Sequence, residues 1–519
     1  MGIAAALLPV MVLASFDFGV TWDEKDRHKY GELIWEFFRG LRSRSSFGET
    51  GGHLYGGLFD VICVAVEEWL PGNRYVLRHA VNATFGWVGV LYCGRLAGRL
   101  FGTWSGALAM VLLAASPRYF ADSMNDPKDV PFAAMTVMAL YYISTVSARW
   151  PYVSRSTGIK IVVALALALN VRAGALLYVG YVAALVAAFA VAERCTNWRR
   201  LADTAARLAA VTVAVLLLGT VFWPWAQGAP LTRPVQALLG VANYPWNGHV
   251  LFNGRDYGAQ ELPWYYAPWW FLISTPPVVI VGAVLSTCVS SSRGDTLRRL
   301  ALWAIAVLPV AAAIVMGSTL YDGIRHFEFI YPILAVLAAS GWTAILCARH
   351  RPWLRRGAAA VLAVGLASVL TFDVRFHPNQ GVYFNSLVGG PRGAFARYDM
   401  DYWGNCVFQA VEWSADMARS SGVAVTISGN PEHLVQLNAE RFHELYFMRS
   451  WRRYYLHVRL ARGTVAGLTE LAQQPALYQV RTPDGALLCS VIRGPAYNEL
   501  EALQSYAASR AASRKANQR

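Results

Sequence analysis

The chain has 519 residues, of which 55% are hydrophobic and only 15% are charged, whereas an ordinary soluble domain has roughly 45–50% and 25%. This composition excludes an ordinary cytosolic enzyme. The formal net charge of +14 does not indicate nucleic-acid binding, because the basic residues are spread among short segments between apolar runs.

The apolar runs are long enough to cross a bilayer core of about 30 Å, so the sequence predicts a polytopic membrane protein. Eleven spans are predicted, near residues 2–20, 78–98, 103–121, 130–148, 158–170, 174–192, 205–223, 265–287, 299–317, 328–347 and 356–372. Residues 54–70 are also apolar but contain Asp60, Glu67 and Glu68, so we predict an amphipathic helix on the membrane surface there.

The distribution of basic residues predicts the orientation of these spans. With a cytoplasmic N-terminus, the short cytoplasmic connections hold sixteen basic residues, and the short outer connections hold only Lys128, Arg172 and Arg325. The sixteen are Arg95, Arg99, Arg149, Arg155, Lys160, Arg194, Arg199, Arg200, Arg207, Arg293, Arg298, Arg299, Arg349, Arg351, Arg355 and Arg356. By the positive-inside rule, the long loops and the polar tail lie outside, which in a bacterium is the periplasmic side of the inner membrane.

We therefore predict an all-α membrane domain over 1–372, with outer loops at 21–77, 122–130 and 224–264. Strand-like runs at 423–428 and 487–493 and helical patterns at 407–420 and 434–447 predict a small α/β domain over 373–498 on the outer face. Residues 499–519 are expected to be a frayed helical end. Cys406 and Cys489 of this domain can pair in an oxidising compartment, although two free thiols are the simpler interpretation.

Two acidic groups lie on the predicted outer side. Asp23 and Glu24 follow the first span directly, and Asp126 and Asp129 lie between the third and fourth spans. The spacing of the second pair allows one oxygen-ligand site for magnesium or manganese. The alternatives are a solvated stop after the first span and an Asx turn that caps the fourth.

Cationic and aromatic residues also stand at span ends. Arg172 interrupts an apolar stretch, and Arg325 and His326 precede the tenth span. Arginine near a bilayer is costly and usually has a partner, which can be a phosphate. The alternatives for each residue are a structural carboxylate pair and snorkelling of the side chain to the membrane interface. Trp264, Tyr265 and Tyr266 open the eighth span, as an interfacial aromatic belt or as a groove for a polyisoprenoid chain.

Four short motifs, taken in order, carry a family resemblance. They are the acidic pair 23–24, Asn-Asp-Pro-Lys-Asp at 125–129, Leu-Pro-Trp-Tyr-Tyr at 262–266 and Arg-His-Phe-Glu-Phe-Ile-Tyr-Pro at 325–332. This order resembles the GT-C superfamily of integral-membrane glycosyltransferases, in particular bacterial relatives of the protein O-mannosyltransferases and of the lipid A aminoarabinose transferases.

The resemblance implies transfer of a sugar from a polyprenyl-phosphate donor to a hydroxyl of a cell-envelope glycolipid, polysaccharide or protein, in contact with membrane lipid and without nucleic acid. It implies a single inverting displacement with an acidic residue of the first outer loop as base. Asp23 is our expected base and Glu24 its rival.

By the same resemblance, Asp126 and Asp129 correspond to the second acidic site of the family, which implies a divalent cation. Arg325 corresponds to a residue that contacts the donor phosphate, and we expect Arg172 and His326 to support it. Trp264, Tyr265 and Tyr266 would form the lipid groove. Ser274 stands where many relatives have a lysine before Thr-Pro, which increases the importance of the arginines.

Two other classes remain open at this point. A transporter or polyprenyl-lipid-binding protein of similar span count would usually place ionisable groups near the middle of its spans and show internal symmetry. The third possibility is a catalytically silent relative, against which the retained acidic residues argue.

Overall fold

The computed structural model describes residues 2–49, 52–146, 154–192, 197–289, 292–348 and 351–516. Arg149, Arg194 and Arg349, three of the basic residues used for the orientation, lie outside the described residues, as does the end of the predicted span 130–148. The chain divides into two compact units. The first comprises Met1–Phe16, Asp23–Trp246 and Pro263–Asp373, and the second comprises Asp17–Trp22, Asn247–Leu262 and Val374–Arg519.

The first unit consists of helices and their connecting loops. The α-helices are α1 Gly2–Ala14, α2 Glu24–Phe38, α3 Leu58–Trp69, α4 Arg74–Phe101, α5 Thr103–Ala114, α6 Pro117–Asn125, α7 Asp129–Ser144, α8 Arg155–Leu169, α9 Leu176–Ala192, α10 Trp198–Leu218, α11 Pro224–Gln227, α12 Arg233–Ala242, α13 Tyr266–Ser274, α14 Pro277–Cys288, α15 Arg293–Val315, α16 Tyr331–Leu346 and α17 Pro352–Phe376. Short 3₁₀ helices occupy Ser15–Asp17, Arg44–Glu49, Ala173–Ala175 and Arg325–Ile330.

Every predicted span overlaps a helix of this unit. Within the described part of the chain, four helical segments are long and apolar enough to cross a membrane, namely Trp198–Leu218, Arg293–Val315, Arg325–Leu346 and Pro352–Phe376. The pair α13 and α14, bent by 113°, would make a fifth. This is the pattern of a multi-pass membrane protein, and the count of eleven stays a prediction.

The predicted span 103–121 is divided into α5 and α6. Pro117 occupies the first turn of α6, where its missing amide hydrogen is tolerated, whereas inside one continuous helix it would remove a hydrogen bond. Helix α4 packs against α5 through small residues, since a Cβ added to Gly106 would lie only 2.7 Å from the carbonyl oxygen of Gly94. Such small-residue contacts are typical of membrane helix pairs.

Helix α3 forms where an amphipathic surface helix is predicted, but Asp60 does not lie on a polar face. Its carboxylate is buried and pairs with Arg27 and, at 3.1 Å, with Arg78. Because unpaired buried charges are very costly, these arginines allow Asp60 to be inside the unit.

The second unit is built around a five-stranded sheet. Its strands and those of a separate hairpin are β1 His249–Phe252, β2 Arg255–Gly258, β3 Val425–Asn430, β4 Leu445–Phe447, β5 Leu456–Leu460, β6 Tyr478–Arg481 and β7 Leu487–Arg493. Its helices are α18 Gly390–Ala394, α19 Cys406–Ser421, α20 Glu432–Ala439, α21 Val465–Gln473 and α22 Tyr497–Ala516, with 3₁₀ helices at Gln380–Val382 and Ser386–Val388. The sheet order is β4-β3-β5-β7-β6, in which β3 is parallel to β4 and β5, and β7 is antiparallel to β5 and β6.

Two details of this unit differ from the sequence interpretation. The helix expected over 434–447 ends at Ala439, and the chain continues into β4. The reason is that β4 forms backbone hydrogen bonds with β3, and the local sequence pattern cannot reveal this distant partner. Cys406 and Cys489 form a disulfide that joins the start of α19 to β7, so the simpler interpretation of two free thiols is wrong.

The second unit also takes two segments from far away in the sequence. The amides of Gly19 and Val20 donate to the side-chain oxygens of Asn405 and Asn438, each at 3.0 Å. In the β1–β2 hairpin, the amide of Leu251 donates to Asp399 at 3.2 Å. The four apolar residues that these segments contribute, Phe18, Val20, Leu251 and Phe252, are at most 2% exposed.

We predict that the fragment 374–519 alone does not form a fully packed domain, because four buried apolar side chains of its unit are missing. Each fully buried apolar side chain of this size contributes about 1.5–3 kcal/mol. Near-UV circular dichroism and thermal unfolding should show a loosely packed state, and joining the hairpin 247–262 to the fragment should raise its unfolding temperature. Cooperative unfolding that the added hairpin leaves unchanged would contradict this.

Candidate active site

Asp23 stands directly before the first residue of α2. Its carboxylate forms an ion pair with the ammonium group of Lys128 and lies 3.4 Å from Nη1 of Arg325. Burial would raise the pKa of Asp23, but the charges of Lys128, Arg325 and Arg27 together outweigh burial and hold that pKa below its usual range. The side chain is still 27% exposed. Asp23 is therefore an ionised, accessible carboxylate between two cations.

Glu24, the rival of Asp23, has a different environment. Its side chain is only 2% exposed, and its Oε1 lies 3.0 Å from Nε2 of His79 on α4. The two carboxylates are adjacent in sequence, yet the helical start at Glu24 separates their partners. Only Asp23 of the pair combines accessibility with neighbouring cations.

The loop between α6 and α7 is ordered by Asp126. Its Oδ1 accepts hydrogen bonds from the backbone amides of Lys128 at 3.3 Å and Asp129 at 3.1 Å, which is an Asx turn. This turn carries Lys128 to Asp23. Burial, together with the neighbouring charges of Asp129 and Asp122, raises the pKa of Asp126 well above its ordinary value.

Asp129 pairs with Arg172, which lies in the break between α8 and α9. Asn170 maintains that break: its Nδ2 donates to the carbonyl of Leu218 at 2.8 Å, and its Oδ1 accepts the amide of Phe222 at 2.8 Å. The polar residues that interrupt an apolar stretch in the sequence thus fix the ends of α8 and α10. Arg172 is buried with a carboxylate partner.

The loop before α3 approaches the same break. The amide of Gly56 donates to the carbonyl of Val171, and the amide of Leu58 donates to that of Asn170, both at 3.1 Å. A side chain at position 56 would collide with the backbone of Asn170, so glycine is required there. Tyr55 is therefore placed beside Arg172, with which it forms an isolated β-bridge.

Arg325 begins the 3₁₀ helix that leads into α16. In addition to Asp23, it lies 3.5 Å from Asp322 and stacks over the ring of Tyr321 at 4.8 Å. His326 packs edge-on against the same ring, at 4.7 Å between centroids. The preceding loop is held by Tyr266, whose hydroxyl accepts the amide of Gly323 at 3.0 Å.

The three aromatic residues at the start of α13 have different environments. Tyr266 is buried and orders the loop of Arg325, whereas Trp264 is 71% exposed and Tyr265 is 40% exposed. Only the latter two present their rings at the surface of the unit. The lipid groove stays a prediction for these two residues.

The structure thus gathers Asp23, Asp126, Asp129, Arg172 and Arg325 in one region of the first unit. Sequence reasoning missed Lys128 and Tyr55. Lys128 lies inside the motif at 125–129, and its spacing from Asp126 could have revealed it. Tyr55 has no such signal, because tertiary contacts alone place it beside Arg172.

The contacts of Asp126 and Asp129 bear on their predicted role as ligands of a divalent cation. Each keeps one buried oxygen, Oδ2, without a hydrogen-bond partner, but no three His, Cys, Asp or Glu side chains among the described residues are grouped for a metal ion. Two carboxylates suffice for magnesium when substrate phosphates complete its shell. The divalent cation at Asp126 and Asp129 therefore stays a prediction.

Comparisons with known proteins give the following result. No family model matches the chain, and no curated protein matches it. Solved structures that are similar include ArnT from Cupriavidus metallidurans bound to undecaprenyl phosphate, with 13% identity over 94% of this chain and 97% of that chain and a TM-score of 0.49.

Two similar structures come from Archaeoglobus fulgidus. Its oligosaccharyltransferase in complex with Zn and sulfate is 11% identical over 93% of this chain and 73% of that chain, with a TM-score of 0.42. AglB in complex with an inhibitory peptide and a dolichol-phosphate is 11% identical over 94% and 74%, with a TM-score of 0.41.

With identities of 11–13% and TM-scores below 0.5, these similarities show no family for this chain, and the GT-C resemblance of the sequence motifs stays a prediction. The substrates and ligands named for those proteins are theirs.

We predict opposite effects for two substitutions in the loop 126–129. Because the folded-state pKa of Asp126 is raised, its ionisation opposes folding; this cost is absent below the unfolded pKa of 3.8 and grows as pH rises above it. Asp126→Asn keeps the amide-accepting oxygen, so its thermal stability at pH 7 should equal or exceed that of the wild type.

Asp129→Asn should instead destabilise the protein by about 3–5 kcal/mol, because it leaves the buried charge of Arg172 uncompensated. Thermal unfolding in detergent from pH 4 to pH 8 measures both variants. Equal destabilisation by the two substitutions would contradict the different roles.

Proposed function

We propose that this chain transfers a glycosyl group from a polyprenyl-phosphate-linked donor to a hydroxyl acceptor of the cell envelope. The observation that carries the proposal is the accessible carboxylate of Asp23 between Lys128 and Arg325. Such a transfer needs a base for the acceptor hydroxyl and positive charge on the departing phosphate, and this cluster supplies both.

The proposed reaction is a single displacement. Asp23 takes the proton of the acceptor hydroxyl while that oxygen attacks the anomeric carbon. The bond from this carbon to the phosphate oxygen breaks, and its electron pair leaves with the lipid phosphate, which Lys128 and Arg325 stabilise. One displacement inverts the anomeric configuration.

The low pKa of Asp23 favours one order in which the two substrates bind. A carboxylate whose proton affinity is reduced by two cations is a weak base. When a phosphate engages Lys128 and Arg325, it offsets the charges that lower the pKa of Asp23, so the base becomes stronger after the donor binds. We propose that the donor therefore precedes the acceptor.

We place this site on the outer face of the inner membrane. The support is the bias of sixteen basic residues to three between the two sides. The disulfide between Cys406 and Cys489 also supports an oxidising compartment for the second unit.

The first test separates the two acidic residues. We expect Asp23→Asn to lower turnover by about 10²–10⁴-fold, because general-base help has about that size, and to leave lipid-phosphate binding intact. Glu24→Gln retains a hydrogen-bonding partner for His79 and should change turnover less than tenfold. Mass analysis of envelope glycolipids and glycoproteins with and without the chain first identifies sugar and acceptor, and initial rates then compare the variants.

Normal turnover in Asp23→Asn with collapse in Glu24→Gln would transfer the role of base to Glu24. A product that retains the donor's anomeric configuration would exclude the single displacement.

The second test concerns the cations. Lys128→Met and Arg325→Met should each weaken binding of undecaprenyl phosphate by about tenfold or more, because charge-assisted contacts of this kind contribute about 1.5–3 kcal/mol. Lys25→Met is the matched control, since Lys25 is exposed on α2 outside the cluster. Titration of the purified chain in detergent measures these affinities.

The same titration with EDTA and with added magnesium or manganese tests the expected divalent cation. Loss of binding in EDTA that magnesium restores would assign a cation to Asp126 and Asp129. Unchanged affinity in Lys128→Met and Arg325→Met would remove the phosphate from this cluster.

A further inference from the structure

We propose that Tyr55 is a positioning residue of the phosphate site, whose ring holds Lys128, Arg172 and Arg27 together without neutralising their charge. This inference rests on the proposed function, because it assumes that the cations receive a lipid phosphate. It adds a residue that no sequence motif includes.

The geometry around the ring carries the inference. The charged groups of Lys128, Arg172 and Arg27 lie 5.1, 5.7 and 5.7 Å from the centroid of Tyr55. All three distances are within the limit of about 6 Å at which an aromatic face attracts a cation. Each of the three cations is buried, so the attraction is stronger than at an exposed site.

Each of the three cations also pairs with a different carboxylate. Lys128 pairs with Asp23, Arg172 pairs with Asp129, and Arg27 pairs with Asp60. The ring of Tyr55 is what the three have in common. When a phosphate replaces Asp23 as the partner of Lys128, the contact with the ring remains, so Lys128 keeps its place during the exchange.

The backbone of Tyr55 is fixed well enough for this role. Its amide donates to the carbonyl of Gly52 at 3.1 Å, and its carbonyl accepts the hydroxyl of Tyr30 at 3.1 Å. The bridge to Arg172 adds a third attachment. A fourth carboxylate in place of the ring would hold the same cations but would cancel the charge that a phosphate needs.

The experiment measures binding of undecaprenyl phosphate to the purified full chain in detergent, with thermal stability recorded for each variant. We expect Tyr55→Leu to weaken binding about tenfold and Tyr55→Phe to change it less than twofold, because phenylalanine keeps the aromatic face. Tyr92→Leu is the matched control, since Tyr92 also lies under an arginine, Arg95 at 5.2 Å, but contacts none of the three cations.

A second series separates electrostatic positioning from simple packing and does not require a folded leucine variant. Phenylalanines carrying one, two and three fluorine atoms are introduced at position 55, which reduces the negative charge of the ring face with little change in shape. If the ring attracts the cations, affinity for undecaprenyl phosphate decreases stepwise with each fluorine. Equal affinity across the series overturns the proposal.

Three further outcomes can be distinguished. If Tyr55→Phe loses as much affinity as Tyr55→Leu, the hydroxyl and not the ring holds the cations, and the proposal is overturned. If the wild-type chain itself does not bind undecaprenyl phosphate, the proposed function fails and this inference fails with it. Wild-type binding that Tyr55→Leu leaves unchanged overturns the role of Tyr55 alone.

Discussion

The ion pairs of Asp23 with Lys128 and Arg325 are the interactions on which the arrangement of the first unit's loops depends. Asp23 comes from the start of α2, Lys128 from the loop before α7, and Arg325 from the 3₁₀ helix before α16. The two cations are almost completely buried, and buried charges are stable only with well-placed partners. The same carboxylate therefore stabilises the folded loops and is the base of the proposed reaction.

This dual role explains why the buried cations of the site, among the residues that the structure describes, are paired with carboxylates. Arg172 with Asp129 and Arg27 with Asp60 repeat the pattern beside the first pair. Each carboxylate lowers the cost of burying a cation. Lys128 and Arg325 differ from the others because their shared partner is accessible, so in the proposed reaction an incoming phosphate takes its place.

The backbone between these charges is shaped by a small number of residues. Asn170 closes the break between α8 and α9, and Gly56 permits the loop before α3 to approach that break. Asp126 forms the turn that carries Lys128. None of these three residues takes part in the proposed displacement itself. Asp126 fixes the position of Lys128, which does take part, and Asn170 and Gly56 shape the break beside which Arg172 and Tyr55 lie. The peptide bond between Trp22 and Asp23 is also where the chain passes from the second unit to the first.

The sequence by itself indicated a multi-pass membrane protein, the position of most helices and most of the acidic and cationic residues of the site. Apolar runs and charge bias are local properties, so composition and order reveal them without a structure. The motifs at 23–24 and 325–332 likewise contain Asp23 and Arg325, whereas Lys128 lies in the motif at 125–129 but was not predicted as a site residue.

Only the tertiary structure decided which of these residues share an environment. Asp23 and Glu24 are indistinguishable in the sequence, and the burial of Glu24 against His79 separates them. Tyr55, the two distant segments that complete the second unit and the pairing of Cys406 with Cys489 also required it. The physical reason is that burial and charge pairing depend on groups far apart in the chain, which no local pattern records.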